Sequence, residues 1–242
     1  LKKRRFKTAF ILGAGMGVRL KPLTDTLPKP LLEIGGRPII TYVMEHLANA
    51  GIERFIINTH HLSDAYQKVF PHMKWNGIPI IFRYEPVLLE TGGGLKNIED
   101  LLSHDETIIC HNGDIISNLP IKRLIDYHDE KRPEATLALR SSGHNLNVEI
   151  DKEGNVIDMR HTFGKKGIKT CLFTGIYIIE TSILRYIEKN KVESIVPVFL
   201  RMMADRPESV KGIIIDEGMW HDIGTLDAFY GLKENFKGFH GR

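Results

Sequence analysis

The sequence predicts an α/β fold: a mostly parallel central sheet with helices on both faces and a small β-hairpin subdomain. Three observations predict it. Short apolar runs alternate with stretches of helical spacing through residues 8–139, the pattern of successive βαβ units. The first run, Thr8-Ala9-Phe10-Ile11-Leu12, opens directly into a glycine loop, Gly13-Ala14-Gly15-Met16-Gly17. After Arg140 the pattern changes to two short strand-like segments around Lys152-Glu153-Gly154-Asn155, the spacing of a β-hairpin.

Each element has its own reason. Thr8–Leu12 is short and uncharged, as a buried strand should be. In Pro38–Ala50, Ile39, Ile40, Val43 and Leu47 recur at helical spacing and Gly51 supplies the stop. Arg54–Asn58 predicts a second strand, Ser63–Phe70 a helical segment and Ile78–Tyr84 a third strand. Gly94–Leu102 follows as a helix, Thr107–His111 as a fourth strand, Ile121–Lys131 as a helix and Ala135–Leu139 as a strand. Asn147–Asp151 and Val156–Arg160 flank the hairpin turn, and Thr170–Ile179 and Val210–Ile215 predict later strands. Residues 181–204 read as helical, and Thr225–Phe236 as a closing helix. With no repeat, low-complexity tract or long linker, the 242 residues predict one domain.

Composition excludes several function classes. The net charge is +3, but Lys2, Lys3, Arg4, Arg5 and Lys7 hold five positive charges, leaving −2 on the rest. That basic stretch reads as a solvated tail, and no basic stripe interleaved with aromatics follows, so no nucleic-acid partner is expected. No apolar run approaches the ~18 residues of a membrane span, and no signal-type hydrophobic stretch follows the basic N-terminus, so no membrane partner is expected either. Cys110 and Cys171 each lie in a strand-like run without nearby cysteine partners. They read as two buried free thiols, which suits a cytoplasmic location. His60 and His61 read as solvated loop histidines, not metal ligands.

Glycine lets backbone N–H groups converge on an anion that a Cβ would obstruct. Arg19, and Lys29 between Pro28 and Pro30, bring two positive charges to the same segment. The loop is neither the dinucleotide fingerprint, which needs a glycine at Val18 or Leu20, nor a P-loop. Asp114 follows the fourth strand in His111-Asn112-Gly113-Asp114, and open parallel sheets bind ligands outside the carboxyl ends of their strands. A carboxylate there can anchor magnesium, which takes only one or two protein carboxylates when phosphates complete its shell. Alone, Asn-Gly-Asp is equally a turn.

The whole segment Leu12 to Pro30, LGAGMGVRLKPLTDTLPKP, resembles the signature of the sugar-1-phosphate nucleotidyltransferases, with Gly13 where alanine or glycine is usual and Val18 where threonine or serine is frequent. Trp220-His221-Asp222-Ile223-Gly224-Thr225 resembles the W-x-D-[IV]-G-T segment of the same family. On its own Asp222 could equally be a neighbour of a helix N-cap. Glu90-Thr91-Gly92-Gly93-Gly94-Leu95 resembles the E-T-G-G-G-[IL] stretch of N-acetylmuramate-1-phosphate uridylyltransferase-like enzymes, although triple glycine is also simply a flexible loop. Thr174-Gly175-Ile176-Tyr177 looks like the family's sugar-phosphate strand. Arg160-His161-Thr162 stands where thymidylyltransferase relatives carry E-K-P, which argues against a glucose-1-phosphate thymidylyltransferase.

The resemblance runs from about Thr8 to Phe236 and implies a Rossmann-like nucleotide-diphospho-sugar transferase fold. Residues 8–140 would form the nucleotide-binding part, and 141–236 the sugar-phosphate part with the second metal ligand. It implies transfer of a nucleotidyl group from an NTP, UTP or GTP, to a sugar 1-phosphate, with Mg2+ as cofactor. Arg19, Lys29 and Asp114 are the implied catalytic residues, and Asp114 and Asp222 the metal ligands. Leu12, Gly13, Ala14, Gly15, Met16, Gly17, Arg19, Lys29, Thr91, Gly92 and Asn112 are implied to bind the nucleotide, and Gly143, Thr174 and Gly175 the sugar phosphate. The Glu90–Leu95 resemblance points to UTP with N-acetylmuramate 1-phosphate or a related hexose 1-phosphate. The alternatives are a mannose- or heptose-1-phosphate guanylyltransferase, a more distant phosphocholine cytidylyltransferase and, in another class, a non-catalytic nucleotide sensor. No hexapeptide-repeat extension follows the last motif, so no fused acetyltransferase is expected. Neither the base, the sugar nor the oligomeric state follows from the sequence.

Overall fold

A computed structural model describes residues 6–236; the basic stretch at residues 2–5 lies outside the described residues. The first half runs β1 (Thr8–Leu12), β2 (Glu33–Ile34), β3 (Arg37–Pro38), α1 (Ile39–Asn49), β4 (Arg54–Thr59), α2 (Asp64–Val69), β5 (Lys74–Trp75), β6 (Ile78–Tyr84), α3 (Glu90–Asn97) and β7 (Thr107–Asn112). Next come β8 (Ile115–Ser117), α4 (Ile121–Lys131), β9 (Ala135–Arg140), β10 (Val148–Ile150), β11 (Val156–Met159) and β12 (Lys169–Glu180). α5 (Ile195–Asp205), β13 (Val210–Ile214), β14 (Trp220–Asp222) and α6 (Leu226–Asn235) complete the order. The architecture is α/β with a large, mostly parallel central sheet.

The described residues divide into two compact units, each discontinuous in sequence. One holds Phe6, Leu89–Cys110 and Leu119–Glu217; the other holds Lys7–Leu88, His111–Asn118 and residues 218–236. None of these boundaries falls at residue 140.

In the unit that begins at Lys7, β1, β4 and β6 are parallel neighbours, in register Leu12↔Asn58 and Asn58↔Arg83 at their carboxyl ends. Because α1 and α2 carry the chain back between them, these are two successive βαβ units. Phe10, Ile11, Phe55, Ile56 and Ile57 are fully buried, which explains why β1 and β4 read as continuous apolar runs. β5 closes the edge antiparallel to β6, and β2–β3 and β8–β14 are short antiparallel pairs.

In the other unit β12 lies between β9 and β10, antiparallel to both, while β13 is parallel to β9. β10 and β11 form the expected hairpin. The β12–β9 register breaks between Phe173 and Tyr177, where Gly175 adopts φ +76°. Thr174 is fully buried there, its hydroxyl donating to the Ala138 carbonyl (2.8 Å) and accepting from Ile176 N–H (3.2 Å).

Two helical expectations need correction. The helix expected over Gly94–Leu102 is α3, which begins at Glu90 and includes all three glycines, followed by a 3₁₀ turn at Glu99–Leu101. The glycines are not a loop but part of the helix, and all three are buried. Gly92 and Gly93 N–H groups both donate to the Glu193 carbonyl, at 2.8 and 3.0 Å, and Thr91 Oγ1 accepts from Ile195 N–H. A Cβ on Gly93 would lie 2.2 Å from the Lys191 carbonyl oxygen. Close passage of the 191–194 backbone overrides the low helix propensity of glycine. The helical stretch expected over 181–204 is likewise two pieces, a 3₁₀ turn at Thr181–Tyr186 and α5, because residues 191–194 must stay extended to bond α3. Ser194 caps α5, its side chain accepting from Val196 N–H.

This packing predicts opposite outcomes for two helical glycines. Gly93→Ala should destabilise the protein by about 1–3 kcal/mol through overpacking, although alanine is the better helix former. Gly231→Ala, in α6 with no atom within 4 Å of its added Cβ, should be neutral or stabilising by up to about 1 kcal/mol. Urea denaturation of both variants checks the pair; equal effects would remove the packing explanation for Gly93.

Candidate active site

Every residue of the first and last motifs lies in the unit that begins at Lys7. The glycine loop leaves the carboxyl end of β1. The Leu12 carbonyl accepts from Gly113 N–H (2.9 Å), Gly13 N–H donates to Asn58 Oδ1 (2.8 Å), and the Gly13 carbonyl accepts from Tyr66 Oη (2.9 Å). Gly13 therefore faces protein on both sides, and its expected presentation of backbone groups to a nucleotide falls instead to its successors. Among the described residues, Ala14, Gly15 and Met16 make no backbone hydrogen bond, and Gly15 and Met16 are exposed. Gly17 closes the loop at φ +63°, its carbonyl held by Thr24 Oγ1 at 2.9 Å.

Four charged side chains converge on this loop. Lys29 sits in a 3₁₀ turn, Lys29–Leu31, with Pro28 and Pro30 on either side, and only 8% of it is exposed. Its ammonium forms a salt bridge with Asp114. Asp114 lies in the two-residue turn between β7 and β8, and the β8–β14 register pairs Ile115 with Asp222. The Ile223 N–H donates to the Asp114 carbonyl at 3.2 Å. Arg19 reaches the same place: a Cβ on Gly224 would lie 3.2 Å from Arg19 Nη2 and 3.4 Å from Asp222 Oδ1. Gly224 is thus a space-maker for both charges.

Asn112-Gly113-Asp114 is a turn, but a Cβ on Gly113 would lie 2.6 Å from the Leu12 carbonyl, so the turn is locked to β1. Thr225 is the N-cap of α6, its Oγ1 accepting from Ala228 N–H at 3.2 Å. Asp222 is in β14 and has no capping role.

One apolar cluster beneath the charges holds them together. Leu20, Leu32, Ile116 and Ile223, each within three residues of Arg19, Lys29, Asp114 or Asp222, pack with Ile34, Ile39, Tyr42 and Phe229. The fit to a divalent cation follows from the electrostatics. Desolvation of its carboxyl group and the neighbouring Asp114 charge hold Asp222, an exposed residue by its surface area, above the usual carboxylate range, while Lys29 and Arg19 pull it down. Two neighbouring carboxylates, the charge of Asp114 raising the proton affinity of Asp222, suit a magnesium ion, with phosphates and water completing its shell. Among the described residues no group of three or more His, Cys, Asp or Glu could hold a metal alone.

Thr91, Gly92, Gly143, Thr174 and Gly175, the remaining expected ligand contacts apart from Asn112, lie in the other unit. Gly143 has φ +136°, and its added Cβ would lie 3.0 Å from Leu172 Cδ2. His60 and His61 are half-buried loop residues whose rings bond the carbonyls of Glu85 (2.7 Å) and Thr24 (2.8 Å). Sequence reasoning missed Asn58, Tyr66 and Glu85; the only signal was the polar residue at the end of an apolar strand for Asn58 and Glu85, and Tyr66, in α2, had none. Cys110 and Cys171 are buried and free, as expected.

The nucleotidyl transferase family model matches residues 8–237. The chain belongs to that family. Mannose-1-phosphate guanylyltransferase of Mycobacterium tuberculosis is 30% identical over 225 residues, covering 91% of this chain and 62% of its own length. The mannose-1-phosphate guanyltransferase of Saccharomyces cerevisiae is likewise 30% identical, covering 90% and 62%. A UTP–glucose-1-phosphate uridylyltransferase of Synechocystis is 25% identical, covering 92% and 61%. The chain therefore spans less than two thirds of the length of these relatives. Among solved structures, HddC from Yersinia pseudotuberculosis complexed with GMP-PN shares the fold, with TM-score 0.77 and 23% identity, covering 96% of this chain and all of that one. No helix among the described residues is long and apolar enough to cross a membrane.

The carboxylate pair gives a prediction with a defined sign. A carboxyl raised in the folded state favours folding while protonated, and that contribution is lost as pH rises through its folded value. In chelator-treated protein at pH 7, Asp222→Asn should therefore melt roughly 1–3 °C above wild type, the gap closing toward the acid end of the carboxylate range. Added Mg2+ should raise the melting temperature of wild type and not of the variant. A metal-free Asp222→Asn that melts lower than wild type would contradict the repulsion.

Proposed function

We propose that this chain carries a magnesium-dependent nucleotidyl transfer from GTP to mannose 1-phosphate or a related hexose 1-phosphate, giving an NDP-sugar and pyrophosphate. The observation that carries the reading is the convergence of Arg19, Lys29, Asp114 and Asp222 beside three consecutive N–H groups without partners among the described residues. Two fixed cations, two carboxylates and an anion-accepting loop match the needs of a triphosphate. The uridylyl expectation gives way to the guanylyl alternative. Its basis was the triple glycine, and that segment has an intramolecular reason in the 191–194 backbone. The mannose-1-phosphate guanylyltransferases among the relatives support GTP. The two free thiols and the NTP requirement favour a cytoplasmic setting.

No side-chain nucleophile is needed. A phosphate oxygen of the sugar 1-phosphate attacks the α-phosphorus, the bond from that phosphorus to the bridging oxygen breaks, and the electron pair leaves on pyrophosphate. Such chemistry depends on positioning and charge neutralisation. Ala14, Gly15 and Met16 would donate backbone N–H groups to the nucleotide. The planar guanidinium of Arg19 would hold the β- and γ-phosphates, a geometry that lysine cannot supply. Lys29, held by Asp114 before substrate arrives, would present its charge to the reacting phosphate. Asp114 and Asp222 would hold magnesium, which supplies further neutralisation of the phosphate oxygens.

Pyrophosphate release, measured for GTP, UTP, CTP, dTTP and ATP against a panel of sugar 1-phosphates, tests the reading. Fastest turnover with GTP and mannose 1-phosphate is expected; a clear preference for UTP would restore the uridylyl reading. Release with no pair would favour a non-catalytic nucleotide sensor. Asp114→Asn and Asp222→Asn should abolish turnover with the fold intact, and wild-type turnover at saturating magnesium would remove that residue from the site. Lys29→Ala should lower kcat by roughly 10²–10³-fold while changing the nucleotide KM less than about fivefold. A raised KM at unchanged kcat would assign Lys29 to uniform binding.

A further inference from the structure

We infer that Asn58, Tyr66 and Glu85 form a clamp on the two peptide groups that flank the Gly13 Cα, aiming the loop's free N–H groups at the nucleotide. This rests on the nucleotide-binding reading above and assigns three positioning residues to it. The clamp is built from side chains on three separate segments of one unit. Asn58 stands near the carboxyl end of β4, Tyr66 in α2 and Glu85 just after β6. Asn58 is 2% exposed, and Tyr66 and Glu85 are fully buried.

Each contact has one geometric consequence. Asn58 Nδ2 donates to Glu85 Oε1 at 2.8 Å, which fixes the amide so that its oxygen, not its nitrogen, faces Gly13 N–H. Glu85 is itself anchored, its N–H donating to the Thr59 carbonyl and its carbonyl bonded to the His60 ring. Tyr66 Oη donates to the Gly13 carbonyl. Burial holds that phenol well above its usual range, so it stays a donor at any working pH. In a trans peptide the C=O and N–H point in opposite directions. Pinning the Gly13 carbonyl to Tyr66 therefore aims the Ala14 N–H away from the core, and Gly15 and Met16 follow. A side chain at position 13 would force the clamp to shift, because a Cβ there would lie 2.8 Å from the Asn58 carbonyl oxygen and 3.0 Å from Tyr66 Oη.

A buried carboxylate that contacts neither phosphate nor metal is costly to retain unless it is hydrogen-bonded. Orienting Asn58 gives Glu85 a task that an apolar residue could not perform.

The test is direct titration of GTP and UTP, with Mg2+, into wild type and variants of the full chain, alongside KM values for both substrates. Tyr66→Phe keeps the ring and removes only the donor. It should bind nucleotide roughly five- to tenfold more weakly, the equivalent of one hydrogen bond, with a melting temperature lowered by only a few degrees and an unchanged sugar-phosphate KM. Asn58→Ala and Glu85→Leu should weaken binding at least as much. Glu85→Gln keeps an acceptor for Asn58 and should stay within about twofold of wild type. Asn58→Ala with Tyr66→Phe should lose less than the sum of the two, because both hold one residue, Gly13, by its N–H and its carbonyl. Where Asn58→Ala or Glu85→Leu fails to fold, Tyr66→Phe and Glu85→Gln still decide. Undiminished nucleotide affinity in Tyr66→Phe overturns the clamp while leaving the nucleotide site standing, and so does parallel loss in both KM values. A wild-type chain that binds neither GTP nor UTP overturns the nucleotide site and the clamp with it.

Discussion

The antiparallel pairing of β8 with β14, set on a shared apolar cluster, is the constraint on which the rest of the site depends. Asp114 and Asp222 are more than a hundred positions apart in the chain, and their like charges repel. What brings them together is the register Ile115↔Asp222, with Ile116 and Ile223 buried in the same cluster as Leu20 and Leu32. Removing apolar side chains from water stabilises by roughly 1.5–3 kcal/mol each, enough to hold neighbouring charges at close quarters. Arg19 and Lys29 then offset the repulsion in the ligand-free protein, and the site remains electrostatically poised for a cation and a polyanion together.

Glycine serves several distinct ends in this chain. At Gly13, Gly113 and Gly224 the missing Cβ is room: for the Asn58 backbone, for the Leu12 carbonyl, and for the Arg19 and Asp222 side chains. At Gly93 it is room for the 191–194 backbone, in the middle of a helix. At Gly175 it is the positive φ at a register break in β12. A sequence pattern cannot separate these uses, since each leaves the same letter in the chain. That is why the triple glycine could be taken for a nucleotide loop.

The strand and helix order was largely legible. β1, β4, β6, β7, α1, α4 and the β10–β11 hairpin appear at or within a few residues of their expected bounds, because their signals are local: apolar periodicity, Gly51 as a stop, the turn at Lys152–Asn155. The places that failed are set by distant partners. α3 begins four residues early because the backbone of residues 191–194 packs against it, and the long helix expected over 181–204 breaks for the same contact. The two-residue and three-residue strands β2, β3, β5, β8 and β14 were invisible, since so short a segment has no period to read.

By itself the sequence determined the βαβ succession, the glycine loop at the end of β1, and the identities of Arg19, Lys29, Asp114 and Asp222 as candidates, because fixed spacing and residue chemistry are properties of the chain alone. Only the tertiary structure decided that these four meet. It also decided that Asp222 is a strand residue beside Asp114 and not a helix cap, and that Asn58, Tyr66 and Glu85 hold the loop. The reason is physical: hydrogen bonds between side chains dozens of residues apart exist only once burial has excluded water and fixed their distance, and no local pattern encodes that distance.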